Sequence, residues 1–265
     1  MSQKPPPKQF VKTPINGTKS VILVSSAKGG VGKSTVAVNL AFALQNLGLK
    51  IGILDADVYG PSLPKLINLN EKPKSEEGKA IIPLEKYEAQ CMSMGFLVDE
   101  QTPMIWRGPM VISALKTMTQ KVLWKNRDVI IIDMPPGTGD TQLTFAQEVK
   151  VDGAIIVSTP QDLALLDVKR GIQMFDKTGV KILGLIDNMS FFKGDDGKEY
   201  KIFGESGVEK TAKDFEKEFL GHIPIHQDLR SCSDKGEPLT HYDPKHEVSK
   251  LFIDIAKKIK SSLNL

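Results

Sequence analysis

The apolar residues of this chain fall in short unbroken runs separated by turn residues. Val21-Ile22-Leu23-Val24 ends in Ser-Ser-Ala-Lys-Gly-Gly and is followed by a helical pattern over 33–47 that Gly48 stops. The unit returns: residues 50–55, 128–133, 153–158 and 181–187 are apolar runs bounded by turn residues, with helical patterns between most of them. Runs that are apolar throughout suit strands covered on both faces by helices, so the pattern predicts an α/β fold of three layers, with a mostly parallel central β-sheet flanked by helices. Beyond this alternation there is no internal repeat and no low-complexity tract. Residues 71–78, rich in Lys, Glu and Ser, read as a surface loop. Residues 1–20 carry Pro5, Pro6, Pro7 and four lysines without an apolar core, and read as a flexible arm before a single domain over 21–265.

Composition narrows the classes without naming one. At about 150 residues per domain, 265 residues make one large domain or two small ones. Hydrophobic residues at 40% and charged residues at 25% exclude disorder and fibrous repeats. Lys plus Arg number 35 against 32 for Asp plus Glu, and a net charge of +3 predicts neither a nucleic-acid nor a membrane partner. No apolar run approaches the roughly 18 residues that span a bilayer. The start of the chain lacks the pattern of a secretory signal, and without Arg it makes a poor transit peptide; a cytoplasmic location is expected, with an organelle matrix such as the mitochondrion as the alternative. The two cysteines, Cys91 and Cys232, exclude a disulfide framework and any four-cysteine metal centre within one chain.

The chemistry begins at Lys28-Gly29-Gly30-Val31-Gly32-Lys33-Ser34-Thr35, where a predicted strand turns into a predicted helix. This is the context of a phosphate-binding loop, or P-loop. The glycines let backbone amides curl around phosphate oxygens, the helix N-terminus adds its positive dipole end, Lys33 reaches the β and γ phosphates, and the Ser34 hydroxyl ligates Mg²⁺. Ala27 replaces the first Gly of the common pattern, which restricts the backbone without removing an amide donor. Two acidic strand ends complete the site. Asp55 and Asp57 stand at alternate positions, one directed toward the packed sheet and one toward the loop, and Asp57 is the candidate for positioning an attacking water. Asp133 closes Ile130-Ile131-Ile132 and is the candidate for holding Mg²⁺ through water.

Lys28 resembles the signature lysine of the deviant Walker A group that includes MinD and ParA. That resemblance implies an ATP-dependent face-to-face homodimer in which Lys28 reaches the partner's nucleotide. The segments Asp133-Met134-Pro135-Pro136-Gly137-Thr138-Gly139-Asp140, Asp55-Ala56-Asp57-Val58-Tyr59-Gly60-Pro61-Ser62 and Trp106-Arg107-Gly108-Pro109-Met110 narrow it further. So do Thr159-Pro160-Gln161-Asp162-Leu163-Ala164-Leu165-Leu166-Asp167 and Asp187-Asn188-Met189-Ser190. Together they resemble the Mrp/Nbp/ApbC family of iron-sulfur cluster carrier P-loop ATPases from about Val21 to the C-terminus, and Cys91-Met92-Ser93-Met94-Gly95-Phe96-Leu97 resembles its bacterial and mitochondrial branch. The resemblance implies a slow, Mg-dependent ATP hydrolase, switched as a homodimer, that exchanges a cluster with donor or acceptor proteins. It assigns Gly137, Gly139 and Asp140, with Asp57, to the γ-phosphate switch. Asn188 becomes the candidate for the adenine edge, with Pro224 packing on the base.

One stretch departs from the family. Its members carry Cys-Pro-x-Cys-Gly just after Asn-Met-Ser, whereas Phe192-Lys193-Gly194-Asp195-Asp196-Gly197 here places Lys193 and Asp196 at the cysteine positions. An ammonium cannot ligate iron and a carboxylate is a hard ligand for a cluster normally held by thiolates, so the usual bridging site is missing. Cys91 and Cys232 are the remaining thiol candidates, Cys91 reading first as a small buried hydrophobe. His222, His226, His241 and His246 form no recognised metal spacing and read as surface or hydrogen-bonding residues. In the last helical pattern Leu251, Phe252, Ile255 and Ile259 make an apolar stripe among lysines, read as packing on the sheet rather than as a membrane tail. Two alternatives to cluster carriage stay open: an interaction ATPase of the same family that has lost its cargo, and a MinD/ParA-like positioning ATPase.

Overall fold

In a computed structural model of the chain the described residues are 12–76, 80–97 and 108–265, with the side chains of 162–164 outside the description. Trp106 and Arg107 therefore lie outside the described residues. The elements in order are β1 (Thr18–Ser25), α1 (Lys33–Asn46), β2 (Ile51–Asp55), α2 (Leu63–Leu66), β3 (Ser75–Glu76), β4 (Ala80–Ile81), β5 (Leu84–Lys86), β6 (Ala89–Ser93), α3 (Gly108–Gln120), β7 (Arg127–Asp133) and α4 (Asp140–Glu148). There follow β8 (Gly153–Ser158), α5 (Asp162–Thr178), β9 (Ile182–Lys193), β10 (Glu199–Tyr200), α6 (Gly207–Asp214), β11 (Phe219–Ile225), α7 (Gln227–Lys235), α8 (Leu239–Tyr242) and α9 (Glu247–Leu263).

Among the described residues nine strands form one sheet in the order β10-β9-β8-β1-β7-β2-β6-β5, with β11 also paired to β9. All of its pairings are parallel except β10 on β9 and β5 on β6 at its margins. The unbroken apolar runs are explained by where their side chains go. In β1, Ile22 and Val24 enter the core shared with α1, α8 and α9, while Val21 and Leu23 enter the core shared with α3, α4, α5 and α6. Alternate residues thus face opposite helical layers, and neither face meets water. Helix α1 is apolar nearly all round because it is sandwiched between the sheet and α9. The stripe of α9 does pack inward, with Phe252, Ile255 and Ile259 buried against that same core.

Two expectations need correction. Of the arm expected over 1–20, residues 1–11 lie outside the described residues, and 12–20 are not free: Thr13 bridges Val149, Ile15 is buried, and β1 already starts at Thr18. Gly17 holds a φ of 82° with the Trp124 carbonyl where a Cβ would stand, so the close approach itself requires glycine. The loop expected over 71–78 is not wholly irregular, since β3 within it pairs antiparallel with β4. No helix among the described residues is long and apolar enough to cross a membrane.

Candidate functional site

The turn from β1 into α1 puts two of its glycines in the left-handed region, and at Gly32 leaves no room for a side chain. Gly30 and Gly32 have φ of 82° and 78°, and a Cβ on Gly32 would stand 2.3 Å from the Asn188 amide nitrogen. Gly32 begins α1 without a side-chain cap, so the first amides of a long buried helix face the cleft with no side chain satisfying them. A helix start of this kind is an anion site by construction.

Beneath it, the parallel register sets Asp55 beside Asp133 at the ends of adjacent strands. Lys33 forms an ion pair with Asp133 in which both side chains are almost fully buried, and its Nζ lies 3.4 Å from the Ser34 hydroxyl. Burial drives the Asp133 carboxyl above the usual range, while the Lys33 charge opposes that rise. Asp55 is fully buried and accepts from Asp57 N at 3.1 Å, Ser62 N at 2.9 Å, Leu63 N at 3.0 Å and the Ser93 hydroxyl at 2.9 Å. Desolvation first, and the Asp133 charge second, push its pKa up to about 7. Asp55 therefore anchors the loop into α2, whereas Asp57 is half-buried, accepts from Tyr59 N and Gly60 N, and faces the cleft.

That cleft has a volume of about 760 Å³ and gathers Gly29, Gly30, Gly32, Lys33, Ser34, Thr35, Asp57, Asn188 and Pro224. Val31 is buried and Lys28 is exposed, and neither lines the cleft. Asn188 donates from Nδ2 to the Val31 carbonyl at 2.8 Å, so one of its amide hydrogens is already spent fastening the P-loop to β9. Sequence reasoning missed the opposite wall, where Lys65 and Leu66 of α2 face Leu229, Arg230 and Ser233 of α7. No spacing signal could reveal it, because only the tertiary fold brings α7 to α2.

Gly137, Gly139 and Asp140 lie between β7 and the first turn of α4. Gly137 takes a φ of 102° and its N–H donates to the Ser26 carbonyl at 2.9 Å, tying this segment to the P-loop. The divergent stretch forms the hairpin between β9 and β10, where Asp196 accepts from Lys198 N at 3.0 Å and from the Tyr200 hydroxyl at 2.9 Å, and Lys193 sits 3.7 Å from Glu247. Cys91 is fully buried in β6, and burial pushes its thiol up to about 12, which corrects its candidacy as a cluster ligand. Cys232 is half-buried and its thiol is also raised, by desolvation first.

The histidines separate. His241 stacks on Tyr87 with centroids 4.3 Å apart, and His222 Nδ1 lies 3.2 Å from the buried Asp187. His226 and His246, distant in sequence, meet each other and Asp228, a cluster that spacing alone did not reveal.

Comparison with known proteins shows the family. A family model described as ParA: NUBPL iron-transfer P-loop NTPase matches residues 17–260. The chain is 50% identical over 260 residues to the iron-sulfur cluster transfer protein NUBPL of Dictyostelium discoideum, covering 97% of this chain and 80% of that protein. It is 46% identical over 251 residues to the iron-sulfur cluster carrier protein of Escherichia coli K12, covering 94% and 68% respectively. Among solved structures, a nucleotide-binding protein from Archaeoglobus fulgidus in complex with ADP superposes with a TM-score of 0.74 at 36% identity, over 83% of this chain and 88% of that one. The septum site-determining protein MinD of Pyrococcus horikoshii, complexed with Mg-ADP, shares the fold at a TM-score of 0.67 and 22% identity, over 92% and 97%. With the P-loop, its acidic floor and a mostly parallel sheet in place, the chain belongs to the iron-sulfur cluster carrier family of ParA-like P-loop NTPases.

Proposed function

We propose that this chain binds and hydrolyses ATP as a nucleotide-switched homodimer and uses that switch in iron-sulfur cluster transfer. The supporting observation is the buried Lys33–Asp133 ion pair under an uncapped helix N-terminus. Phosphate oxygens arriving at the α1 amides compete with Asp133 for the Lys33 ammonium. As Lys33 turns to the phosphates, Asp133 is released beside the Ser34 hydroxyl. A carboxylate with a hydroxyl is the hard-oxygen donor set that Mg²⁺ prefers, so these residues fit that ion, which supplies positive charge to the β and γ oxygens when bound. Asp57 then orients the water. Lys28, exposed on the loop, adds its charge to the partner's nucleotide, and Gly137, Gly139 and Asp140 change shape as the γ-phosphate leaves. Asn188 and Pro224 hold the base end.

Lys33→Ala is expected to abolish Mg-ATP binding by calorimetry, and unchanged affinity would reject the P-loop assignment. Lys28→Ala should bind ATP as the wild type does yet lose the ATP-dependent dimer in size-exclusion chromatography with light scattering. The opposite pattern removes the trans role.

A second reading is favoured by the thiol-free hairpin and by the burial of Cys91: an interaction ATPase of this family that no longer carries a cluster on these cysteines. Anaerobic reconstitution followed by iron and sulfide analysis separates the two. Stoichiometric iron and sulfide support carriage; a colourless, iron-free protein supports the second reading.

A further inference from the structure

His226 and His246 each begin a helix. His226 is the N-cap of α7 and its Nδ1 accepts from Asp228 N at 3.2 Å; His246 is the N-cap of α9 and its Nδ1 accepts from Val248 N at 3.1 Å. A neutral imidazole that accepts at Nδ1 carries its proton on Nε2. His246 Nε2 lies 3.3 Å and His226 Nδ1 3.7 Å from the same Asp228 Oδ2, while His226 Nε2 lies 3.5 Å from Glu247 Oε1. The rings meet edge to face with centroids 4.8 Å apart, and one ligand-type atom from each of His226, Asp228 and His246 lies within 4.8 Å of the other two. The imidazoles are shielded, with side chains 24% and 18% exposed, while Asp228 at 59% leaves a way in from solvent.

We propose that His226, Asp228 and His246 bind a divalent transition-metal ion of the zinc, cobalt or iron(II) class, at a site beside the nucleotide cleft and separate from its Mg²⁺ position. Two imidazole nitrogens with one carboxylate select this class over Mg²⁺ or Ca²⁺, which take oxygen donors. Bonds of about 2.0–2.2 Å in a tetrahedron set ligand atoms roughly 3.3–3.5 Å apart. The His246–Asp228 separation of 3.3 Å already meets that spacing, and the widest of the three separations, at most 4.8 Å, closes by side-chain rotation. Glu247, 3.5 Å from His226 Nε2, supports the tautomer that leaves Nδ1 free for the ion. At His226 the nitrogen beside Asp228 is Nδ1, so the ion takes the lone pair that caps α7 and the Nε2 proton stays; at His246 the ion takes Nε2 and the proton passes to Nδ1, so no proton leaves the imidazoles. Nδ1 then ceases to accept, and the two cap hydrogen bonds are exchanged for metal bonds.

The test uses the full chain without an affinity tag, stripped with chelator and free of nucleotide, titrated with cobalt(II) chloride. One Co²⁺ per chain by calorimetry, with the visible absorption of a tetrahedral site and displacement by Zn²⁺, is expected. His246→Asn keeps a capping oxygen on α9 and removes the imidazole, so affinity should fall on the order of tenfold or more with an unchanged circular dichroism spectrum. Asp228→Asn should show the same loss and serves if His246→Asn fails to fold, while His222→Asn and Cys232→Ser should bind as the wild type. Absent saturable uptake, wild-type affinity in both cluster variants, or loss in the His222 or Cys232 variant instead, overturns the site.

Discussion

The cleft end of the sheet and the hairpin beyond it hold their charges in opposite ways. Lys33, Asp133 and Asp55 are buried and bonded to one another or to backbone amides, so each depends on its neighbours. On the hairpin, Lys193 pairs with Glu247 of α9, the two at 55% and 61% exposure, and Phe192 and Tyr200 also face solvent. Buried charges are expensive to leave unpaired, whereas exposed ones are screened by water. The nucleotide machinery is therefore locked by packing, and the hairpin is free to change its residues without disturbing the fold. This is the physical setting in which a member of the family can lack cysteines at the hairpin and retain the P-loop site.

The largest expected effect breaks the locked side. Lys33→Ala leaves Asp133 without its counter-ion beside a second buried carboxyl. Removing one partner of a buried pair costs about 3–5 kcal/mol, in addition to the loss of nucleotide affinity. Denaturant unfolding of the nucleotide-free protein at pH 8 measures it, and a change below about 1 kcal/mol would mean the pair is solvated.

Next comes the pH dependence of the same region. Asp55, with its pKa near 7 against an ordinary 3.8, binds more protons folded than unfolded throughout that interval. Its contribution to stability is full below the ordinary value and is lost as pH rises through about 7. Nucleotide-free protein should accordingly lose stability between those values, by up to about 1.4 kcal/mol per pH unit for this one proton. Asp55→Asn, which keeps an acceptor for Ser62 N and Leu63 N, should flatten that slope; a wild-type slope in the variant assigns the effect elsewhere.

The thiols sharpen the comparison with a smaller, kinetic effect. Cys91, fully buried with its thiol pushed to about 12, should react with iodoacetamide at pH 8 only on unfolding, while half-buried Cys232 reacts in the native state. A rate ratio of roughly a hundredfold or more is expected, read by mass spectrometry. Equal rates would place Cys91 within reach of a ligand after all.

What could be read beforehand follows the same division. The strand-turn-helix from β1 to α1 was legible because its apolar run, glycines and lysine are contiguous, and residues 153–158 mark β8 to the residue. Run 181–187 ended too early. β9 continues to Lys193 because β11 and β10 pair with its polar second half, a support that no local pattern carries. The meeting of His226 with His246, the Asn188 bond to the P-loop and the α2–α7 wall share that origin. They join residues far apart in sequence, whereas periodicity reports only on neighbours.

The smallest effect belongs to the exposed side. Lys193→Ala removes an ammonium from a 3.7 Å contact with Glu247 in which both side chains are more than half exposed. Such a pair contributes within about 0.5 kcal/mol, so urea unfolding of the variant should overlay the wild type, and its Mg-ATP affinity should be unchanged. Glu247 also stands beside His226, so freeing it from Lys193 makes its carboxylate more available to the histidine pair. The one expected change is a modest gain in Co²⁺ affinity. A destabilisation above about 1 kcal/mol would instead show the hairpin to be coupled to the core, and the contrast between the two ends would fail at its weaker term.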